Sequence, residues 1–301
     1  MRNYIIITHI FPKVDYEIQE GVLLKTIKDP FPLGAESTKY LILNAQCWEY
    51  AVSVNGIENY KLSLDDLVVY HSFITHNSTT YHYAENAPKL YFEDEELTFI
   101  EDRNEIKRGD TEVCDYSSFP LTIGSKYKSN QPKEFIDYKK GFELFLDLKT
   151  DKKSKKLYEL IHLYEFARCF EQTHRIYTNY NISMSLFITI LESIIGSPKY
   201  CSKTIYCDQC GQEVQHRAES LEQYFKKYFG SLFKDIREIR HRTYHKGDYF
   251  DFMQHLTQLR EKGISWVEDD KWNLYMDKRY DLVEIIRIIL TSKFLERYSN
   301  D

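Results

Sequence analysis

Two kinds of hydrophobic pattern divide the chain near residue 130. Before that point, short runs rich in β-branched and aromatic residues are separated by turn formers such as Asn55-Gly56 and Ala87-Pro88. Runs of this kind are typical of strands. The clearest are residues 4–10, 40–47, 51–54, 67–71 and 89–92. The pattern predicts a mainly-β domain over residues 1–130, of the sandwich or barrel type.

After Pro132, apolar residues recur at helical spacing. They predict one helix within residues 152–177 and a very apolar helix over 186–195. Further helices are predicted at 221–229, 232–239 and 282–290. Antiparallel packing of their apolar faces would form a helical bundle over residues 131–301. We therefore expect an α+β protein, with the boundary between its halves marked by Pro120 and residues 124–132.

Composition and charge narrow the class of protein. Hydrophobic residues make up 43% of the 301 positions and charged residues 29%, which excludes a disordered or collagen-like chain. The net charge of −6 is the sum of two unlike halves: residues 1–130 carry 12 Lys and Arg against 20 Asp and Glu, and residues 131–301 carry 28 Lys and Arg against 26 Asp and Glu. The imbalance favours two modules with different partners, and the alternative is ordinary variation in surface charge.

Targeting and membrane signals are weak. The apolar run after Met1 is too short for a signal peptide, and no stretch approaches the ~18 apolar residues of a membrane span. Six cysteines are few for a disulfide scaffold of this length. We expect a cytoplasmic protein without a membrane partner.

A cysteine-rich segment predicts a metal site within residues 199–216. Two of its cysteines are separated by two residues and followed by a glycine, and a further Cys and a His flank them. The predicted zinc ligands are Cys201, Cys207, Cys210 and His216. A closed Cys3His set suits tetrahedral structural zinc, since it leaves no position for a substrate. The alternative is that these are incidental loop cysteines, with only Cys207 and Cys210 near each other.

A basic segment at residues 237–247 carries the second candidate site. Arg binds phosphate with a planar fork and His exchanges a proton near neutral pH, so Arg240 and His245 suit cleavage of a phosphodiester. Residues five apart are about 140° apart around a helix, so convergence needs a loosened helix end or a second subunit. The alternative is a basic helix C-terminus that complements its own dipole, with solvated histidines.

The order of these features resembles the HEPN superfamily. Arg240-His241-x3-His245 resembles its R-x4-6-H motif, and LFKDIREI before the motif resembles the usual helical context. The helix MSLFITILESII, followed by a Cys-rich insert, is similar to the corresponding region of HEPN proteins called ApeA-like. The resemblance covers about residues 150–301, and residues 1–130 occupy the position where such proteins carry a β-rich domain.

The resemblance implies a metal-independent endoribonuclease that is usually dimeric. His245 would act as general acid or base, Arg240 would stabilise the charged transition state, and His241 would orient or assist. Arg242, Tyr244 and Lys246 lie outside the motif, and they would hold RNA by charge and stacking. A solvated helix end remains the alternative, above all for Arg242.

The resemblance also implies partners and a biological role. The partners would be RNA, a second copy that completes the active site, and a phage-derived or cellular trigger acting on residues 1–130. The role would be antiviral defence by abortive infection. The alternatives are a non-catalytic HEPN-like module that binds RNA, nucleotide or protein, and a zinc-dependent enzyme.

Overall fold

The computed structural model describes most of the N-terminal half and several helices of the C-terminal half. The described residues are 3–6, 8, 10–28, 50–55, 64–76, 91–92, 98–106, 112–124, 133–173, 178–195, 200–206, 209–211, 213–217, 261–263 and 270–299. Strands prevail before residue 137 and helices prevail after it, which confirms the α+β class.

The strands among the described residues form one main sheet and three two-stranded sheets. Along the chain they are β1 Asn3–Ile6, β2 Ile10–Pro12, β3 Tyr16–Gln19, β4 Val22–Lys28, β5 Tyr50–Asn55, β6 Tyr91–Phe92, β7 Thr98–Phe99, β8 Glu112–Cys114, β9 Phe119–Thr122, β10 Lys133–Ile136, β11 Tyr200–Tyr206 and β12 Glu213–Arg217. The main sheet has the order β3-β4-β5-β1-β6, with β7 also paired to β4, and all of its pairs are antiparallel.

The smaller sheets consist of the parallel pair β2–β8 and the antiparallel pairs β9–β10 and β11–β12. The described helices are α1 Leu64–Thr75, α2 Tyr138–Thr150, α3 Lys155–Thr173, α4 Thr178–Ile195 and α5 Asp270–Tyr298. No described helix has an apolar stretch long enough to cross a membrane.

The chain divides into two compact units. The first contains Met1–His174 and Arg287–Asp301, and the second contains Arg175–Ile286. Helices α2 and α3 therefore share a unit with the N-terminal strands. The domains predicted at 1–130 and 131–301 describe where the sequence pattern changes, and their common boundary stays a prediction.

Several predicted elements are present, and one prediction is wrong. Helices α3, α4 and α5 lie where the helical periodicity places them, and β5 covers the predicted run at 51–54. Residues 67–71, however, belong to α1 and not to a strand. Val68 and Val69 suggested β structure, but α1 is buried on most of its surface, from Asp66 to Ile74. A helix buried in this way shows neither helical nor strand alternation.

Helix α2 begins at a well-defined cap. The Asp137 side chain accepts a hydrogen bond from the backbone N–H of Lys140 at 2.8 Å, which satisfies one of the free N–H groups of the first turn. Its buried residues Tyr138, Phe142, Phe145 and Leu148 follow helical spacing. They direct one face of α2 into the core of the first unit.

Aromatic rings fill that core. The Tyr70 ring of α1 lies 4.9 Å from the Tyr138 ring and 5.2 Å from the Phe142 ring, centroid to centroid. The Tyr116 ring stacks on Tyr138 at 4.6 Å. The Tyr70 hydroxyl donates a 3.0 Å hydrogen bond to the carbonyl of Tyr138, so the polar end of this buried ring is satisfied.

The end of α5 is joined to the same core. Arg287 is buried, and its guanidinium donates hydrogen bonds to the carbonyls of Thr122, at 2.9 Å, and Gly124. The Tyr298 hydroxyl accepts a 3.0 Å hydrogen bond from the backbone N–H of Asp137. These bonds connect residues more than 160 positions apart in the sequence.

The close approach of α1 to α2 requires a glycine at position 141. A methyl group on Gly141 would overlap the Tyr70 hydroxyl oxygen and come 3.3 Å from the Ile136 side chain. We expect Gly141→Ala to destabilise the protein by about 1–3 kcal/mol, partly offset by the higher helix propensity of Ala. Urea denaturation would measure the change.

The same substitution in a Tyr70→Phe background tests whether the overlap with the Tyr70 hydroxyl causes the destabilisation, because Phe lacks that oxygen. Gly141→Ala should cost clearly less there than in the wild type. Lys140→Ala, at an exposed neighbouring position, is the control and should have little effect. An equal cost of Gly141→Ala in both backgrounds would contradict this explanation.

Candidate functional site

The predicted catalytic segment lies outside the described residues. This applies to Arg240, His241 and His245, and also to the predicted RNA-binding residues Arg242, Tyr244 and Lys246. Their roles stay predictions. The structure does describe the apolar helix that precedes them in the sequence, α4, in which Met184, Phe187 and Leu191 are buried.

The predicted metal segment forms a β-hairpin. Strand β11 contains Cys201, strand β12 contains His216, and Cys210 lies exposed in the turn, while Cys207 lies outside the described residues. Gly211 has a φ of 68°, a left-handed conformation that favours glycine directly after Cys210. The turn predicted from the Cys-x2-Cys-Gly spacing is therefore present around Cys210 and Gly211.

The hairpin register separates parts of the predicted ligand set. Tyr206 pairs with Glu213 at the turn, whereas Tyr200 pairs with Arg217 at the other end. His216 lies three residues beyond Glu213, or about 10 Å along an extended strand. Cys210 is thus near the turn, and Cys201 and His216 are near the far end of the ladder. Within the described stretches, no group of three or more His, Cys, Asp or Glu could hold a metal ion.

A polar cluster that the sequence did not predict surrounds the buried carboxylate of Asp66, in the first turn of α1. Its Oδ2 accepts a 3.0 Å hydrogen bond from Lys149 Nζ, and its Oδ1 accepts one from the Tyr158 hydroxyl. His162 Nε2 lies 3.2 Å from Oδ1, within ion-pair distance but without the alignment of a hydrogen bond. We call Asp66, Lys149, Tyr158 and His162 the Asp66 cluster.

The electrostatics of the Asp66 cluster favour a permanently ionised carboxylate. Burial raises the pKa of Asp66, but His162, Tyr158 and Lys149 together lower it more, so that it falls to about 2. Burial and the hydrogen bond to Asp66 both raise the pKa of Tyr158. A carboxylate with so low a pKa is a poor general base at neutral pH. The cluster is therefore better suited to joining α1, α2 and α3 than to proton transfer.

A second buried polar group joins α1 to α3. Arg168 Nη1 donates hydrogen bonds to Glu165 Oε1 at 2.8 Å and Oε2 at 3.0 Å, and the Ser72 hydroxyl also donates to Oε2. Burial alone would lower the pKa of Arg168, but the adjacent Glu165 carboxylate outweighs it and raises the pKa. Arg168 therefore stays charged, and its charge is balanced inside the protein.

His71 is buried between two hydroxyl groups. Its Nε2 lies 3.0 Å from Thr8 Oγ1, and its Nδ1 lies 2.7 Å from the Tyr138 hydroxyl. Burial lowers the pKa of His71 to about 3, so the ring is neutral at physiological pH. Since both ring nitrogens contact hydroxyl groups, His71 is a core residue and not a free metal ligand.

Comparison with known proteins assigns neither a family nor a function to these features. No family model, curated protein or solved structure matches the chain. The HEPN resemblance therefore depends on the motifs in the sequence, above all on Arg240 and His245.

The Asp66 cluster gives a test of stability against pH. Asp66→Asn removes the charge that Lys149, Tyr158 and His162 stabilise, and should cost about 2 kcal/mol at pH 7. Because the folded pKa lies below the usual value near 4, this contribution is complete above about pH 4 and is lost as the pH falls to about 2. Urea denaturation of both proteins at several pH values should show the difference shrinking over that range.

The exposed residue Asp147 on α2 provides the matched control. Asp147→Asn should change the free energy of unfolding by less than about 0.5 kcal/mol. A difference between wild type and Asp66→Asn that stays constant from pH 7 to the acid limit would contradict the assigned role of the charge.

Proposed function

We propose that the chain is a metal-independent endoribonuclease of the HEPN type. The observation that carries the proposal is the order of features along the sequence. An apolar helix is followed by a cysteine-rich hairpin and then by Arg240 and His245 in a basic segment. The alternative of a non-catalytic binding module requires neither the Arg nor the His.

The proposed reaction is an internal transfer at phosphorus. The ribose 2′-oxygen attacks the adjacent phosphate, and the bond from phosphorus to the 5′-oxygen breaks. The 2′-hydroxyl loses a proton and the leaving 5′-oxygen gains one, so the products are a 2′,3′-cyclic phosphate and a 5′-hydroxyl. No water, metal or oxidant is consumed in this step.

Each predicted site residue has one role in this reaction. His245 transfers a proton as general acid or base, and Arg240 balances the negative charge that grows on the phosphate oxygens. His241 orients or assists. Arg242, Tyr244 and Lys246 hold the RNA by charge and stacking.

Two copies of the chain would complete the proposed active site. Residues five apart on an ideal helix face different directions, so a second Arg240–His245 pair across a two-fold axis would supply the missing groups. In this proposal a structural zinc ion binds the predicted ligands Cys201, Cys207, Cys210 and His216, which requires the two ends of the hairpin to come closer together than its register places them. In the cytoplasm the N-terminal half acts as a sensor or restraint, and a phage-derived or cellular trigger acts on it.

Cleavage of RNA without divalent metal tests the activity. The wild type should cleave single-stranded RNA in the presence of a magnesium chelator and leave 2′,3′-cyclic ends, detectable by mass spectrometry. His245→Ala and Arg240→Ala should each reduce the rate by about 100-fold or more. His82→Ala, which removes a histidine from the N-terminal half, is the control and should retain the rate. If the wild type and the variants all bind RNA and none of them cleaves it, the result would favour the non-catalytic module.

Zinc content tests the proposed metal site. Purified protein should contain about one zinc ion per chain by elemental analysis, since a closed Cys3His set binds one tetrahedral ion. Cys210→Ser should lose most of it, and His216→Ala should show whether the far end of the hairpin contributes. Cys169→Ala changes a buried cysteine of α3 and should keep the metal. Full zinc occupancy in Cys210→Ser would be incompatible with the site.

A further inference from the structure

The segment that joins α2 to α3 has an unusual concentration of positive charge. Five of its eight residues, from Lys149 to Lys156, are lysines, and its one carboxylate is Asp151. The lysines are Lys149, Lys152, Lys153, Lys155 and Lys156, and all of them are exposed. We call residues 149–156 the basic turn. It lies in a protein whose net charge is −6, so general solubility does not require it.

The nearby carboxylates do little to neutralise the basic turn. Asp66 is buried and binds Lys149. Asp151 accepts a 3.1 Å hydrogen bond from the backbone N–H of Lys153. Glu159 lies 3.7 Å from Lys155, and both side chains are exposed, so their attraction is weakened by solvent. Within the described part of the chain, Lys152, Lys153 and Lys156 form no ion pair.

Local helix energetics also oppose this arrangement. Lys155 and Lys156 occupy the first turn of α3, which contains no acidic residue. The N-terminus of a helix carries a partial positive charge, so lysines there are unfavourable and acidic residues are preferred. Lys155 and Lys156 are therefore not explained by the stability of the helix that they begin, whereas Lys149 lies in the last turn of α2 and binds Asp66.

The C-terminal end of α5 adds a further cation. Hydrogen bonds from Ser154 and Lys153 lower the pKa of Asp151, and the positive charge of Arg297 contributes to the same shift. Arg297 is exposed and belongs to the same compact unit as the basic turn. Arg297 thus acts electrostatically on Asp151 of the basic turn from the last turn of α5, where Glu296 is also exposed.

We propose that the basic turn binds the phosphate backbone of RNA. A dense group of exposed lysines attracts a polyanion by charge and by release of its counterions, without reading its sequence. The choice of RNA rests on the proposed function, for which the basic turn would supply a contact with the substrate.

The composition of the basic turn favours RNA over a lipid surface. Membrane-binding segments combine cations with apolar residues that enter the headgroup region. The exposed large hydrophobic residues of the described chain are elsewhere, at Val14, Phe99, Phe135, Phe166, Tyr206 and Tyr280. A surface made of lysines and one arginine fits phosphates in solution.

Fluorescence anisotropy with a labelled single-stranded RNA would test the proposal. All proteins carry His245→Ala, which suppresses cleavage during the titration. In that parent, Lys152→Gln, Lys153→Gln and Lys156→Gln are combined in a patch variant. Each lost phosphate contact should reduce the slope of log affinity against log salt concentration by about 0.7. The loss of three contacts should therefore reduce the slope by about 2, which lowers the affinity for RNA about 100-fold at about 0.1 M salt.

A matched control separates local contacts from net charge. Lys13→Gln, Lys28→Gln and Lys133→Gln remove the same charge from exposed positions of the same unit, and this control should keep nearly the parent affinity. The melting temperature of the patch variant should be unchanged or higher, because Lys156 opposes the helix dipole. An equal loss in both variants, no loss in the patch variant, or no RNA binding by the parent would overturn the proposal.

Two combinations of results distinguish this proposal from the proposed nuclease activity. If the protein without His245→Ala fails to cleave RNA while the patch variant still loses affinity, the nuclease fails and the basic turn stands. If cleavage depends on His245 while the patch variant binds as the parent does, the basic turn fails and the nuclease stands. Loss of binding to phosphatidylserine vesicles by the patch variant, with RNA binding unchanged, would also overturn the proposal.

Discussion

The first compact unit depends on the close packing of Tyr70 against Tyr138. The two rings are in contact, and the Tyr70 hydroxyl donates to the backbone carbonyl of Tyr138 at the start of α2. Glycine at position 141 allows the hydroxyl to reach that position. Tyr138 in turn stacks on Tyr116 and contacts the buried imidazole of His71. A change at this contact therefore affects α1, α2 and the segment before β9 together, because aromatic cores are packed as densely as crystals.

Around this apolar centre, α1 and α3 are joined by charges that are satisfied inside the protein. Asp66 and Glu165 are both buried, and each has a cationic and a hydroxyl partner. The partners of Asp66 are Lys149 and Tyr158, and those of Glu165 are Ser72 of α1 and Arg168 of the same helix. Taking such groups out of water is costly, and the cost is recovered only when every partner is in place. These clusters consequently favour one arrangement of α1 against α3. Partners lower the pKa of Asp66 while burial raises that of Glu165, and both carboxylates are buried and fully engaged with neighbouring side chains, which makes them elements of the scaffold.

The charges in the basic turn, on the surface of the same unit, are arranged differently. In the interior the charges are matched, whereas in the basic turn exposed lysines lie together, and Lys155 and Lys156 occupy a helix N-terminus that disfavours them. Natural proteins often sacrifice some stability where function requires it. The contrast between matched interior charges and unmatched surface charges is the reason to regard the basic turn as an interaction surface. In the proposed nuclease, it would bind RNA without sequence preference while the Arg240–His245 pair performs the reaction.

The sequence by itself determined the elements whose pattern is strong and local. The periodicity of α3, α4 and α5, the alternation around β5 and the Cys-Gly turn near Gly211 could be read directly, as could the spacing of Arg240 and His245. Only the tertiary structure decided that residues 67–71 are helical, because a helix buried on most sides loses its amphipathic signal. It also decided the partners of Asp66, which lie 83 and 92 residues away at Lys149 and Tyr158. Such pairs depend on how three helices pack, and no local pattern in the sequence records that packing.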